Sequence, residues 1–382
     1  MRTAVGLGTE LEGLVMAGVD RIVPLSDGRK GAGVDDSETG DGTAAGGRYE
    51  EGALRVLVAG GGSWGTTVAH LAAHNTPTTV WARRPEVAED INTNHLNTRY
   101  LPDRPLHPEL VASTDLAAVV ASTDLLVMGV PSHVFRATLT EIAPDLRPWV
   151  PVVSLAKGLE QGSRLRMTQV IDEVLPGHPA GVLTGPNLAK EILDGHAAAA
   201  VIAMTDLNVA ERLQEVFSTD HFRVYINDDV VGCEIAGALK NVIALASGMA
   251  DGLGTGDNTR AAVITRGLAE LTRLGVAMGG EAETFAGLAG MGDLVATCIS
   301  TQSRNRHVGE ELGKGKTIEQ IVEEMNQVAE GVKSARVVLD LAAELDVETP
   351  IAEEVCAVVE DGRPATDAYR GLLRRQIGHE RA

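Results

Sequence analysis

Residues Leu54–His70 read LRVLVAGGGSWGTTVAH, an apolar run that breaks at Gly60-Gly61-Gly62-Ser63-Trp64-Gly65 and resumes with helical spacing. That order predicts the strand, tight turn and helix of a dinucleotide-binding unit. Gly60 permits the turn, Gly62 lets the backbone approach a pyrophosphate, and Gly65 lets the helix pack on the strand. The helix N-terminus then turns unpaired N–H groups toward the phosphates. Glycine makes up 43 of 382 residues, so such a match also arises by accident, and a purely structural turn is the competing reading. Context favours the dinucleotide. Leu54, Val56, Leu57 and Val58 form the continuous apolar run of a strand buried on both faces, and Val68, Leu71 and Ala72 give the following helix an apolar stripe.

A chain of this length exceeds what one core serves, and two domains are expected. Residues 1–53 are rich in glycine and acid and read as a disordered extension, or as an over-long start. From Leu54 to 230, apolar runs at 78–82, 124–130, 150–156 and 197–204 alternate with helical stretches, which predicts a Rossmann-type doubly wound parallel sheet. From 231 to 370 strand signals vanish. Glu234–Gly248, Thr259–Leu274, Ile318–Asn326 and Ala335–Leu345 read as helices of an all-helical second domain, and 371–382 as a tail. The fold class is therefore α/β plus all-α.

The formal net charge of −20 argues against nucleic acid and anionic membrane as partners, so an anionic ligand must be met by local cations. Apolar stretches are interrupted by charge, and Glu10 and Glu12 break the N-terminal apolar patch; neither a membrane span nor a signal peptide is expected, and the chain is read as cytoplasmic. Cys233, Cys298 and Cys356 form neither a disulfide framework nor a metal-ligand pair. The histidines are read as unclustered, and no metal site is expected.

The second strand of such a unit ordinarily ends in an acid that accepts the ribose 2′-hydroxyl of NAD. Here Arg83 and Arg84 follow Val80-Trp81-Ala82, and paired guanidiniums suit a 2′-phosphate, so NADP is preferred over NAD; a solvated surface pair is the alternative. A second apolar strand delivers Lys157 at its carboxyl end, where ligands of such sheets bind. Lys240 interrupts an apolar, small-residue helix. With Ala236, Gly237 and Ala244 on its face, its ammonium is reachable by a ligand, and near a second cation its pKa falls, which suits a general acid or base. The alternative is an ion pair with Glu234. Asp293, in Gly290-Met291-Gly292-Asp293, is placed to orient Lys240 or accept a substrate hydroxyl. Ser303, Arg304 and Asn305 supply a hydroxyl, a forked cation and an amide within one turn, a compact phosphate-binding set.

Taken in order, GGGSWGT at 60–66, LAKGLE at 155–160, LTGPNLAKEI at 183–192, the run 233–270 around GALKNV, LAGMGDL at 288–294 and STQSRNRHVG at 300–309 resemble the bacterial NAD(P)-dependent glycerol-3-phosphate dehydrogenases. The resemblance covers about 54–362. It implies reduction of dihydroxyacetone phosphate to sn-glycerol 3-phosphate by NADPH or NADH, which supplies phospholipid synthesis, with Lys240 as proton donor and acceptor. It further implies substrate contacts from Lys157, Gly185, Lys240, Asp293, Ser303, Arg304 and Asn305. Cofactor contacts are implied for Ser63, Trp64, Arg83, Arg84, Lys157, Ala189, Arg304 and Glu330, and Asn258 and Thr259 are implied to line the pocket. One local departure is Asn187-Leu188, where the family often has Ser-Phe. A homodimer is expected by analogy. The rivals are a two-domain dehydrogenase acting on a 3-hydroxy acid or sugar nucleotide, and a catalytically silent dinucleotide sensor.

Overall fold

The computed structural model describes residues 53–325 and 329–374. The expected N-terminal extension, up to residue 52, and the tail beyond 374 lie outside the described residues, as does Asn326 at the end of one expected helix.

Eight strands form one sheet: β1 (Val56–Ala59), β2 (Thr78–Trp81), β3 (Val111–Ser113), β4 (Leu125–Met128), β5 (Val152–Ser154), β6 (Ala180–Thr184), β7 (Ala198–Met204) and β8 (Phe222–Asn227). Their order is β3-β2-β1-β4-β5-β6-β7-β8. The order in which the chain adds strands reverses between β1 and β4, which pair parallel with Val56 opposite Leu125 and Ala59 opposite Met128. The crevice beyond the carboxyl ends of these two strands is where open α/β sheets bind ligands. Both faces of the sheet are covered: Val58, Val127 and Phe217 are buried on one side, and Leu57, Leu126, Met128 and Phe135 on the other.

The sheet departs from the wholly parallel expectation at one place, where β6 and β7 pair antiparallel. A parallel return needs a crossover of a dozen or more residues, usually built on a helix. The segment between them, residues 185–197, is at the lower limit for such a crossover and its helix, Ala189–Leu193, has only five residues, too short to pack across the sheet; β7 runs back beside β6. β3, β6 and β8 are strands the periodicity did not single out.

Helix α1 (Ser63–Ala72) follows β1. After β8 the described residues are helical: α2 (Val230–Gly252), α3 (Asp257–Ala277), α4 (Asp293–Ile299), α5 (Arg304–Gly313), α6 (Glu330–Glu344) and α7 (Pro350–Glu360) are the main elements. α2 has the length and composition of a membrane-crossing helix, yet 89% of its most apolar window is buried. It is the axis of the helical half, with Ile235, Leu239, Phe285 and Leu294 packed around it. α5 lies against it at backbone distance. A Cβ on Gly248 would fall 2.0 Å from the Arg306 carbonyl oxygen, and one on Gly309 2.1 Å from that of Leu245. Glycine on both surfaces therefore sets how near the Arg304 end of α5 comes to the middle of α2.

Glu234 does not pair with Lys240. It accepts from Arg166 Nη1 at 2.6 Å and from the backbone N–H of Thr168 at 2.9 Å, tying α2 to the segment that follows β5.

The histidines are not scattered. His70, in the last turn of α1, and His74, in the turn that follows it, have Nε2 atoms 3.4 Å apart, and the His107 ring centroid lies 4.5 Å from that of His74. His70 Nδ1 accepts the backbone N–H of His107 at 2.9 Å. Burial, then the neighbouring imidazoles, lower the His70 pKa from 6.5 to about 4. The unfolded chain thus takes up this proton near pH 6.5 and the folded chain only near 4, so stability falls as pH drops through that window. We expect wild-type unfolding free energy to decline by about 2 kcal/mol between pH 7 and 4.5 beyond the decline of His70→Gln. Urea titrations across this range check it; parallel slopes would refute it.

Candidate active site

At the carboxyl end of β1, Gly60 has φ +138°, and a Cβ there would stand 2.6 Å from the Gly129 carbonyl carbon after β4. A Cβ on Gly65 would lie 2.0 Å from the Gly60 oxygen, whereas one on Gly62 meets no atom within 4 Å. The turn is therefore packed where strand and helix touch and open on its outer side. α1 begins at Gly62 with no side-chain cap, so its first N–H groups face outward. Trp64 Nε1 is buried without a hydrogen-bond partner, while the Ser63 hydroxyl donates to the Tyr100 carbonyl at 3.2 Å. An open glycine turn, an uncapped helix start and an orphaned indole N–H fit a bound dinucleotide. Arg83 and Arg84 stand exposed beyond β2; Arg84 makes a 3.6 Å contact with exposed Glu86 and reaches the Tyr100 hydroxyl.

The second cluster gathers at the ends of β5 and β6, against α2. Lys157 Nζ donates to the Gly185 carbonyl at 2.9 Å and to Asp293 Oδ2 at 2.7 Å. Lys240 Nζ donates to the other carboxylate oxygen, Oδ1, and to Thr297 Oγ1 at 2.7 Å. One carboxylate thus holds two ammoniums. Lys240 is 4% exposed and Asp293 2%. Burial lowers the Lys240 pKa from 10.5 to about 8, with Lys157 helping and Asp293 opposing. Gly237 faces this cluster: a Cβ there would stand 3.3 Å from Thr184 Oγ1, a tight approach, and 3.7 Å from Lys157 Cγ, an ordinary contact. Asp293 opens α4 directly after a π-helical turn, Leu288–Gly292, the kind of local widening that recurs at functional sites.

A cavity of about 330 Å³ adjoins this cluster, lined by His133, Lys157, Arg304, Glu330 and Lys333 among others. Burial raises the Glu330 pKa while Arg304 and the lysines oppose the shift. The expected Ser303, Arg304 and Asn305 set is only partly free to meet a ligand. Ser303 caps α5 by accepting the Arg306 N–H. Asn305 Nδ2 donates to Asn241 Oδ1 at 2.9 Å and its Oδ1 accepts from Gly331 N at 2.9 Å, so it bolts α2 to α6. Arg304 borders the cavity. Ala189 starts the short helix beyond β6.

Asn258 and Thr259 are not brought into the cluster. They open α3, beside the far end of α2, and Lys240 lies about 18 Å back along that helix at 1.5 Å per residue. Two residues not singled out are present instead. Thr297 stands one helical turn after Asp293, a spacing that shares a face. Asn241 Nδ2 reaches the Lys157 carbonyl at 3.4 Å, which links the two lysine-bearing segments.

Chemically, the cluster offers a buried ammonium of lowered pKa, held by a carboxylate, beside further cations and within reach of a dinucleotide turn. That is the equipment for proton transfer coupled to nicotinamide chemistry on an anionic substrate. Comparison with known proteins agrees. Family models described as NAD-dependent glycerol-3-phosphate dehydrogenase N-terminus and C-terminus match residues 55–210 and 229–370. A glycerol-3-phosphate dehydrogenase (NAD(P)+) of Mycobacterium avium strain 104 is 59% identical over 327 residues, 85% of this chain and 96% of that one. One from Thermobifida fusca strain YX is 50% identical over 331 residues, 86% of this chain and 98% of that one. Among solved structures, a glycerol-3-phosphate dehydrogenase from Coxiella burnetii superposes with TM-score 0.80 at 35% identity, covering 85% of this chain and 99% of that one. With both family models spanning the glycine turn and the lysine cluster, the chain belongs to the NAD-dependent glycerol-3-phosphate dehydrogenase family.

Proposed function

We propose that this chain reduces dihydroxyacetone phosphate to sn-glycerol 3-phosphate, reversibly, with NADPH preferred over NADH, and so supplies glycerophospholipid synthesis. The observation that carries the reading is the Lys157–Asp293–Lys240 bridge, a buried acid of suitable pKa beside cations that suit a phosphate. Residues 54–230 act as the cofactor domain and 231–370 as the substrate domain. Gly60, Gly62, Ser63, Trp64 and Gly65 receive the pyrophosphate end, and Arg83 and Arg84 the 2′-phosphate. Lys157, Ala189, Arg304 and Glu330 border the nicotinamide. Gly185, Ser303, Arg304 and Asn305 frame the substrate with Lys157, Lys240 and Asp293.

The reduced nicotinamide supplies the hydride. Lys240 gives a proton to the carbonyl oxygen as charge develops there, and Lys157 adds a second positive charge. Asp293 keeps both ammoniums aimed and opposes their mutual repulsion. Arg304 holds the phosphate. In the reverse direction Lys240 takes the alcohol proton. Three buried free cysteines suit a reducing cytoplasm, and exposed Val276, Met291 and Ile299 on the helical half suit a homodimer.

The pH dependence tests the proton assignment. Reduction needs Lys240 charged, so its rate stays level below pH 7 and falls about tenfold per unit above about 8. Oxidation needs the free amine, so its rate rises with pH and levels above about 8. Profiles in the two directions that bend together, rather than as mirror images, would defeat the assignment.

A further inference from the structure

The loop after β6 carries a polar group the reaction above does not use. Asn187 Nδ2 and Oδ1 are both buried, and neither has a hydrogen-bond partner among the described residues. A buried donor or acceptor left without a partner is destabilising, so an amide with both halves unmet calls for a ligand. Its surroundings say which. Gly185, two residues earlier, holds Lys157 through its carbonyl. The Pro186 ring comes within 3.7 Å of where a Gly292 Cβ would stand, beside Asp293. β6 lies next to β5, on the side of the β1–β4 switch point opposite β2 and its arginines, hence at the nicotinamide end of an extended dinucleotide.

The anionic part of the substrate is met there by Lys157 and Arg304. A neutral group offering one donor and one acceptor in a plane matches a neutral partner of the same kind. We propose that Asn187 recognises the carboxamide of the nicotinamide ring through a two-point hydrogen bond, Nδ2–H to the carboxamide oxygen and Oδ1 from its N–H, and so sets the rotation of the ring over the substrate. This rests on the reading of the chain as a nicotinamide-dependent reductase. Asn187 is a positioning residue and takes no part in proton transfer.

The test is calorimetric binding of NADPH and of its reduced 3-acetylpyridine analogue, in which a methyl ketone replaces the carboxamide, to wild type, Asn187→Leu and Asn187→Asp. Steady-state KM for the ketone is measured alongside, and circular dichroism confirms the fold of each variant. Wild type binds NADPH about tenfold more tightly than the analogue, because one hydrogen bond is lost. In Asn187→Leu NADPH binding weakens about tenfold or more and the ratio between the two cofactors falls to about one. In Asn187→Asp the ratio widens, since a carboxylate accepts from the carboxamide N–H but repels a bare carbonyl. The ketone KM moves less than twofold. An unchanged ratio in both variants, or a rise confined to the ketone KM, overturns the proposal while leaving the reductase reading intact. Failure of wild type to bind NADPH overturns both.

Discussion

Lys240→Ala lowers turnover by about a thousandfold while the dissociation constant of NADPH changes less than twofold. General acid catalysis contributes roughly 10²–10⁴, and Lys240 sits in a buried site where a developing alkoxide has little other source of a proton. The glycine turn at 60–65 is untouched by the change, and Asp293 keeps Lys157 as a partner. Binding followed by nicotinamide fluorescence, together with kcat, separates the two effects. A variant within tenfold of wild-type turnover would remove Lys240 from the chemistry.

Asp293→Asn has the second largest effect, and for a different reason. The carboxylate is 2% exposed and stands between two ammoniums. Replacing it with a neutral amide leaves those cations facing each other in a buried site, and breaking a buried pair in this way costs about 3–5 kcal/mol. Asp293 is also what holds the Lys240 pKa up against burial and Lys157. The variant therefore shows a lower Tm, a kcat reduced about a hundredfold at pH 7, and an alkaline limb of the reduction profile displaced to lower pH by about one unit or more. The displaced limb is the diagnostic part, because a merely loosened fold lowers rate and Tm without moving it. A limb that stays at the wild-type position would contradict the role given to Asp293.

What could be read before the fold was seen follows the range of the interaction. The glycine turn is local: its steric demands fall on residues five apart, and Gly60 and Gly65 do meet as the spacing requires. Lys240 was legible because a charge inside an otherwise apolar helix is conspicuous. Its partner was legible only as one of two carboxylates: Asp293, 53 residues away, was expected to orient it or to accept a substrate hydroxyl, and Glu234 in the same helix was the alternative; the fold decides, because Arg166 holds Glu234. Thr297 escaped although its spacing from Asp293 was visible, because a hydroxyl on a helix more often bonds its own backbone. It does that as well, donating to the Asp293 carbonyl at 2.6 Å. The direction of β7 was illegible for a simpler reason: AAAAVIAM is apolar throughout and carries no sign of which way it pairs. The histidine cluster combines an i, i+4 pair at the C-terminal end of α1 and the turn after it with a loop residue that only the tertiary fold brings alongside.

The most direct measurement is loss of NADPH absorbance with dihydroxyacetone phosphate, run beside unphosphorylated dihydroxyacetone on the same enzyme. Arg304, with Lys157 beside it, gives the phosphate a charge-assisted site, so kcat/KM for the phosphorylated ketone exceeds that of the control by about a thousandfold or more. Equal rates with the two ketones, or no absorbance loss with either while NADPH binds, would contradict it.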